Sequence, residues 1–116
     1  MKPAPASPEP SDKDLLRPLE RDTAEEIAGI FHLLGEPNRL RMVAACLDAP
    51  RTVNELALAA GASPSLASHH LRLLKAARLL RPQRRGKFVH YAVHDHHVGA
   101  IIRAMIEHVA EPEEGD

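Results

Sequence analysis

The sequence predicts a mainly α-helical domain with one small β-hairpin, folded as a winged helix-turn-helix that dimerises through its first and last helices. Two helix patterns are separated by a short turn at Gly61, and two β-rich runs then flank Gly86; this order is typical of a helix-turn-helix followed by a wing. Between Ser63 and His90 the chain has seven cations and no acidic residue, although its formal net charge is only −1. The cations are Arg72, Lys75, Arg78, Arg81, Arg84, Arg85 and Lys87. A basic surface of this kind indicates DNA binding, whatever the total charge.

The length of 116 residues fits a single domain. We predict that it occupies residues 21–110, between a flexible N-terminal arm at residues 1–20 and an acidic C-terminal tail at residues 111–116. The first ten residues contain four prolines, which remove amide donors and prevent helix formation. Whether residues 11–22 add a further helix stays open. A core of this size is marginal, so a subunit interface is a natural source of additional stability.

Two features bear on the location of the protein. Cys46 is the single cysteine and cannot form an internal disulfide, which is usual in the reducing cytosol. No apolar run approaches the ~20 residues that a helix needs to cross a bilayer, and no apolar stretch follows the N-terminal lysine as it would in a secretory signal. We therefore expect a cytoplasmic protein without membrane contact.

Apolar residues at helical spacing predict the first two helices. The first covers about residues 23–34 and ends where Gly35 and Pro37 interrupt the pattern. The second covers about residues 38–47 and ends at Asp48-Ala49-Pro50.

A capping box predicts the first helix of the helix-turn-helix. Thr52 and Glu55 are spaced so that each side chain satisfies the other's free backbone amide, and the helix that they open ends at Ala60-Gly61. Three residues later, Ser63-Pro64 is a second start signal, a capping serine followed by proline at the first helical position. The second helix, at about residues 64–77, is the predicted recognition helix.

The recognition helix has one polar face without acidic residues. Ala67, Leu71 and Leu74 are spaced to face the core. The polar face, at positions i, i+3, i+4 and i+7, consists of Ser65, Ser68, His69 and Arg72. Small hydroxyls allow a close approach to base edges, while histidine and arginine donate to bases or phosphates. We predict that these four side chains contact double-stranded DNA.

Residues 79–81 and 88–93 predict the two strands of a wing. Between them, Arg84-Arg85-Gly86-Lys87 supplies a turn glycine flanked by three cations. A basic hairpin tip in this position would reach the phosphates or the minor groove beside the recognition helix. Arg84, Arg85 and Lys87 therefore join the predicted DNA-binding residues.

The last helix, at about residues 96–110, has an apolar face wider than a small monomer needs. The face consists of Val98, Ile101, Ile102, Met105, Ile106 and Val109. We interpret part of it as the interface of a homodimer.

Four potential metal ligands lie at the two ends of this helix. Asp95 and His97 mark its start, and His108 and Glu111 mark its end. Eleven helical residues turn through nearly three rotations, so His97 and His108 lie on almost the same side but about 16 Å apart. Zinc–nitrogen bonds are about 2 Å long, so one helix cannot bring both to one ion. Two copies packed antiparallel across a two-fold axis would form two equivalent sites, each with two nitrogens and two carboxylate oxygens.

This donor set favours zinc as the regulatory ion. Four ligands suit tetrahedral zinc, and two carboxylates balance its charge. Cobalt fits the same set. Nickel favours more ligands and would require His96 or the tail to join.

The chain from Phe31 to Glu111 resembles the ArsR/SmtB family of winged-helix metal-sensing repressors. The resemblance rests on LGEPNRLR at residues 34–41, SHHLRLLK at 68–75, RRGKFVHY at 84–91 and the final helix. Zinc sensors of the family carry a D-x-H…H-x-x-[H/E] set on that helix, matched here by Asp95, His97, His108 and Glu111. The resemblance implies that the metal-free homodimer binds an inverted-repeat operator and that zinc releases it.

Two further expectations follow from the resemblance. Family members that sense arsenite, cadmium or lead place cysteines at the start of the helix before the turn, but residues 51–55 contain none, so soft-metal sensing through that position is not expected. A ligand such as His108 would donate its second ring N–H to a backbone carbonyl near Arg78, which would couple the metal site to the recognition helix.

Two other functions compete with this prediction. The first is an ArsR-type winged-helix regulator that responds to a redox change, a small molecule or a protein partner instead of a metal. The second is an enzyme that uses the zinc for hydrolysis, but catalytic zinc keeps a position open and the four predicted ligands close it. The sequence also lacks a nucleophile–base pair and a phosphate-binding loop, so we do not expect an enzyme.

Overall fold

The computed structural model describes residues 18–113. Within them the chain forms five helices and a three-stranded antiparallel sheet, which confirms the predicted mainly α-helical winged helix-turn-helix. The elements in chain order are α1 (Arg21–Leu34), α2 (Pro37–Ala45), β1 (Arg51–Thr52), α3 (Val53–Ala60), α4 (Pro64–Ala76), β2 (Leu80–Arg85), β3 (Phe88–Val93) and α5 (His96–Ala110). Most of the predicted arm at residues 1–20, part of the tail at 111–116 and most of segment 11–22 lie outside the described residues.

Glu36 determines where α2 begins. Its carboxylate oxygens accept hydrogen bonds from the backbone amides of Asn38 at 3.1 Å and Arg39 at 2.8 Å, and Pro37 occupies the first helical position. α2 therefore begins one residue before the predicted start, and it ends at Ala45, two residues before the predicted end. α1 also begins two residues earlier than predicted. Shifts of this size are common at helix ends.

The helix-turn-helix is confirmed, together with its predicted caps. The Glu55 amide donates to Oγ1 of Thr52 at 3.2 Å, and the Thr52 amide donates to Oε1 of Glu55 at 3.0 Å, which completes the capping box of α3. Gly61 ends α3 with a φ of 64°, a left-handed conformation that glycine adopts without steric cost. Ser63 then caps α4, because its Oγ accepts a hydrogen bond from the Leu66 amide at 3.2 Å.

The recognition helix α4 ends in a turn that was not predicted. Arg78 has a φ of 60° and is the one non-glycine residue among those described whose φ is positive. Its amide donates to the Lys75 carbonyl at 3.0 Å. The Leu79 amide donates to the Leu74 carbonyl at 2.9 Å, which completes the hydrogen-bond pattern of a Schellman motif. An arginine thus occupies a backbone conformation that favours glycine.

The sheet is larger than predicted on both sides of its central strand, β3. β2 pairs with β3 from Leu80 to Arg85, so the predicted strand at residues 79–81 is too short and the turn consists of Gly86 and Lys87. The added residues are a proline, a glutamine and two arginines, and for this reason the apolar pattern missed them. They lie on an edge strand, where Pro82 is tolerated. β1, also not predicted, pairs with β3 at the other edge.

The core lies between α2, α3, α4 and the base of the sheet. Its almost fully buried side chains include Met42, Val43, Leu56, Ala67, Leu71, Leu74 and Leu80. α1 buries no residue, and α5 buries only Gly99 and Ile102, so both helices keep apolar side chains at the surface. None of the helices in residues 18–113 combines the length and apolarity that a membrane span requires.

Cys46 belongs to this core. Burial raises the pKa of its thiol to about 11, so the thiol stays protonated at neutral pH. Cys46 therefore packs as a small apolar residue and is not a reactive thiol.

Candidate nucleic-acid interface and metal centre

The predicted DNA-contacting residues of α4 share one outward face. All four are exposed: Ser65, Ser68, His69 and Arg72. The opposite face is closed, because Ala67, Leu71 and Leu74 are at most 1% exposed. The recognition helix therefore presents two hydroxyls, an imidazole and a guanidinium in one stripe, a combination suited to base edges and phosphates.

The wing carries its three predicted basic contacts at the tip. All of them are exposed: Arg84, Arg85 and Lys87. The turn between the strands is only two residues long, and its first residue, Gly86, has a φ of 63°, as in a type II′ hairpin. Arg84 and Arg85 belong to β2 and not to the turn, where they pair with Val89 and Phe88. The sheet therefore determines the positions of both arginines.

The basic surface is not neutralised within the protomer. The salt bridges that arginines form among the described residues involve Arg21, Arg51 and Arg103. None of the seven cations between Ser63 and His90 forms an ion pair with any of residues 18–113. Their charge is therefore available to attract the phosphates of a nucleic acid.

His70 and Glu36, which were not assigned to the site from the sequence, support the recognition helix from its inner side. His70 is 7% exposed, and its Nε2 lies 3.9 Å from Oε2 of Glu36. The Arg39 amide, which donates to Glu36, lowers the pKa of this carboxyl below its usual 4.5, and the nearby His70 acts in the same direction. The sequence did contain a signal for the burial of His70, since residues three positions apart lie on the same helix face and His70 follows the core residue Ala67 by three.

Asp95 caps α5 in addition to being a candidate ligand. Its Oδ1 accepts a hydrogen bond from the Val98 amide at 3.1 Å, and its Oδ2 lies 3.3 Å from Nδ1 of His94. The hydrogen bond from Val98, followed by that from His94, lowers the pKa of the Asp95 carboxyl below its usual 3.8. This role was not predicted, although an aspartate directly before an apolar helix is a regular N-cap signal.

The two donors predicted at the start of α5 are close enough to share an ion. Nδ1 of His97 lies 3.6 Å from Oδ1 of Asp95. Two donors bound at about 2 Å to one tetrahedral ion lie about 3.4 Å apart, so only a small adjustment is needed. A carboxylate oxygen beside an imidazole nitrogen also has the ligand chemistry that zinc and cobalt accept.

The other two predicted ligands lie at the opposite end of α5. His108 and Glu111 are exposed, and both line a surface depression that also includes Pro112 and Glu113. Because His97 and His108 are about 16 Å apart along the helix, the structure does not bring all four predicted ligands together. Residues 18–113 contain no cluster of three or more His, Cys, Asp or Glu side chains that could hold a metal. The four predicted ligands of a protomer therefore lie as two separate pairs, one at each end of α5.

The first donor pair lies beside the end of the recognition helix. Asp95 and His97 line a cavity of about 640 Å³, whose wall also includes Ala77 and Arg78 of the turn after α4. The carbonyls of Ala77 and Arg78 accept no hydrogen bond from residues 18–113. Glu26 of α1 lines the same cavity, a polar neighbour for which no sequence motif gave a signal.

An apolar groove of about 590 Å³ lies between α1, α2 and α5. Six of its large side chains are each 40–78% exposed: Phe31, Leu40, Ile101, Met105, Ile106 and Val109. Contiguous exposed apolar surface of this kind is characteristic of an interaction site. The groove involves the first and last helices, where the dimer interface was predicted.

Known proteins are similar to this chain in sequence and in fold. Residues 36–81 match the arsR family of bacterial regulatory proteins. A transcriptional repressor SmtB homolog of Synechocystis sp. is 36% identical over 93 residues, which cover 80% of this chain and 70% of that protein. The HTH-type transcriptional regulator NmtR of Mycobacterium tuberculosis is 32% identical over 91 residues, covering 78% of this chain and 76% of NmtR.

The fold is similar to that of a homodimeric winged helix-turn-helix DNA-binding domain from Mycobacterium bovis, described as a possible ArsR-family transcriptional regulator. The TM-score is 0.69 at 21% identity, and the match covers 92% of this chain and 97% of that chain. Identity this low supports the fold, whereas the sequence matches establish the relationship. The protein belongs to the ArsR/SmtB family of DNA-binding transcriptional repressors, which are not enzymes.

Proposed function

We propose that this protein is a metal-responsive transcriptional repressor. It binds an inverted-repeat operator as a metal-free homodimer in the cytoplasm and leaves the operator when zinc binds; cobalt fits the same site. One observation carries the proposal. Two donor pairs, Asp95/His97 and His108/Glu111, lie at opposite ends of a helix whose apolar face is largely uncovered within residues 18–113.

Operator binding is supported by the outward face of α4 and the tip of the wing. In a two-fold dimer, the two recognition helices would enter successive major grooves of a palindromic site. Ser65, Ser68, His69 and Arg72 would then face base edges and phosphates. Arg84, Arg85 and Lys87 would lie over the neighbouring phosphates or minor groove.

The metal site requires the second subunit. Covering the apolar groove with an antiparallel α5 would place Asp95 and His97 of one protomer beside His108 and Glu111 of the partner subunit. These four side chains have the number and chemistry of donors that tetrahedral zinc prefers, and the two carboxylates balance its charge. A bound ion would supply a link between the two α5 helices at a fixed angle.

Regulation by metal requires a dimer arrangement that binds metal well and operator poorly. By linkage, operator binding must then weaken metal binding by the same factor, which for allosteric proteins commonly corresponds to ~1–3 kcal/mol. The equilibrium between the two arrangements is therefore the quantity that metal and DNA both shift.

The cavity beside Asp95 offers a route from the metal site to the recognition helix. His108 of the partner subunit would arrive at this cavity, where its second ring N–H can donate to the Ala77 or Arg78 carbonyl. Replacing His108 with cysteine keeps a metal-binding atom and removes the second N–H. His108→Cys should therefore retain metal binding and lose metal-dependent release from DNA, whereas retained release would exclude this route.

A metal titration of the dimer tests the proposal most directly. The probe is a duplex that the metal-free protein selects from a randomised pool. Cobalt should give the absorption bands of a tetrahedral site, reach one ion per protomer and release the duplex over the same range of metal concentration. Zinc should compete for the site. An operator affinity that is unchanged in saturating zinc would instead support a regulator controlled by a non-metal signal.

A further inference from the structure

The wing exposes an aromatic side chain that the fold does not use. Phe88 is 64% exposed and does not pack against the core cluster. The chain has only two phenylalanines, one tyrosine and no tryptophan. Phe31 lines the apolar groove, and Tyr91 packs against the core. Neither dimerisation through that groove nor folding of the protomer explains the position of Phe88.

The register of the hairpin places Phe88 at the wing tip among cations. It pairs with Arg85 across the two-residue turn, and Lys87 directly precedes it. The next residues on its face of β3, His90 and Ala92, are half-buried and buried. Phe88 is therefore the outermost residue of a row whose base is covered by the domain.

The chemistry of this tip fits the minor groove of duplex DNA. A second copy of the same tip would be repelled by Arg84, Arg85 and Lys87, and Phe88 does not line the groove assigned to dimerisation. A minor groove has anionic phosphates along both rims and apolar sugar and base edges between them. Apolar side chains beside cations enter such grooves as wedges between base steps.

We propose that Phe88 is an apolar wedge that the wing inserts into the minor groove at the flank of each operator half-site. The inference rests on the proposed function, because it requires the wing to lie on operator DNA. Arg84, Arg85 and Lys87 hold the adjoining phosphates while the ring packs on sugars and base edges. Pyrimidine–purine steps unstack most easily, so Phe88 gives the repressor a sequence preference at base pairs that it does not read through hydrogen bonds.

Two alanine variants separate the wedge from the phosphate contacts, with the duplex selected by the metal-free wild-type protein as the probe. Phe88→Ala removes one wedge from each half-site, so it should lower the affinity at least about thirtyfold, the lower limit for two aromatic–base contacts, and should leave the slope of log affinity against log salt unchanged. Lys87→Ala removes one cation from each wing of the dimer, so it should lower the affinity and reduce that slope by about two. Val89→Ala is the matched control, since Val89 lies at the same tip on the other face of β3. It should change neither quantity.

A tryptophan reporter and a changed duplex test the insertion itself. Phe88→Trp gives the chain its single tryptophan; its emission should be quenched by the duplex and protected from acrylamide. Replacing the flanking pyrimidine–purine step with a GG·CC step should lower the affinity of the wild-type protein several-fold and that of Phe88→Ala hardly at all. Unchanged thermal unfolding of each variant shows that the fold is retained.

The possible outcomes distinguish the wedge from the proposed function. If Phe88→Ala binds the duplex as tightly as the wild-type protein while Lys87→Ala shows the reduced salt slope, the wedge is wrong and DNA binding stands. If the wild-type protein selects no duplex, the proposed function itself fails. Emission of Phe88→Trp that responds to phosphatidylglycerol vesicles and not to the duplex would assign the tip to a membrane surface and overturn the wedge.

Discussion

Nε2 of His70 lies 3.9 Å from Oε2 of Glu36, the carboxylate that also caps α2. A single acidic group therefore joins the inner side of the recognition helix to the start of α2. The backbone between them runs through α2, β1, α3 and the first half of α4, so this contact is a product of the tertiary fold. The charge of Glu36 therefore lies beside the buried side of the recognition helix.

Acid should destabilise the protein in part through Glu36. The Arg39 amide holds the pKa of Glu36 below the 4.5 of an ordinary glutamate, so on acidification the unfolded chain takes up this proton first. The stability that Glu36 contributes is fully present above pH 4.5 and is lost as the pH falls through the lower folded value. Thermal unfolding measured between neutral and acidic pH should show a lower Tm for Glu36→Gln than for the wild-type protein at neutral pH. The acid limb, which is the fall of Tm as the pH decreases, should be shallower in the variant.

Glu107→Gln is the control for this measurement, because Glu107 is an exposed glutamate of α5. Its acid limb should match that of the wild-type protein. Since hydrogen bonds also lower the pKa values of Glu55 and Asp95, the limb of Glu36→Gln should flatten without disappearing. An acid limb identical to that of the wild-type protein would contradict the role given to Glu36.

Substitutions at Asp95 should separate its capping role from metal binding. Asparagine caps helices about as well as aspartate but lacks the charge, so Asp95→Asn should lower the Tm of the metal-free protein much less than Asp95→Ala does. Its affinity for cobalt should fall by more than the about 10- to 100-fold that changes outside the first ligand layer produce. Asp95→Ala should lower both the affinity for cobalt and the Tm. His96→Ala, at the next position, should lower neither. If Asp95→Asn kept the full affinity for cobalt, Asp95 would be a helix cap and not a metal ligand.

Mixed dimers should show whether each site is shared between subunits. One variant combines Asp95→Asn with His97→Ala, and the other combines His108→Ala with Glu111→Ala; neither should bind cobalt tightly alone. A heterodimer of the two contains one wild-type site and one site without ligands, so mixing should restore half of the tetrahedral cobalt absorption per heterodimer. If heterodimers form but the mixture shows no tetrahedral cobalt absorption, the donors do not meet across subunits.

Features set by local interactions could be predicted from the sequence, and features set by distant contacts could not. Gly61 and the Thr52–Glu55 capping box act within one helical turn, so the boundaries of α3 were correct. β1 and the outer half of β2 depend on pairing with β3; a two-residue strand and a basic edge strand have no apolar alternation to reveal them.

The same distinction applies to the candidate site. The spacing of Asp95, His97, His108 and Glu111 along one helix is a local property, and it predicted the two donor pairs. The contact between His70 and Glu36 and the position of Glu26 beside Asp95 require packing of separate helices. The left-handed conformation of Arg78 was missed for a different reason, because arginine is not a residue that indicates such a turn.

A charge in the apolar groove should dissociate the dimer. Ile106 is half-exposed in the protomer and lines the groove, so Ile106→Glu would bury an unpaired carboxylate in the interface. Sedimentation should show a monomer, with loss of both duplex binding and tetrahedral cobalt absorption. Leu58→Glu is the matched control: Leu58 of α3 is 83% exposed and does not line the groove. A dimeric Ile106→Glu would place the interface elsewhere.

Glycine at position 78 should give a more stable protein than alanine at the same position, because the backbone there is left-handed. A non-glycine residue in the left-handed region destabilises the fold by about 1–2 kcal/mol. Glycine avoids this steric cost, but it destabilises the fold by about 0.5–1 kcal/mol because its unfolded chain has a greater entropy. Arg78→Gly should therefore be about 0.5–1 kcal/mol more stable than Arg78→Ala, a difference of a few degrees in Tm at equal protein concentration. Both variants lack the guanidinium, so their difference isolates the backbone, and their duplex affinities should be equal. A lower Tm for Arg78→Gly than for Arg78→Ala would show that the turn after the recognition helix is not strained.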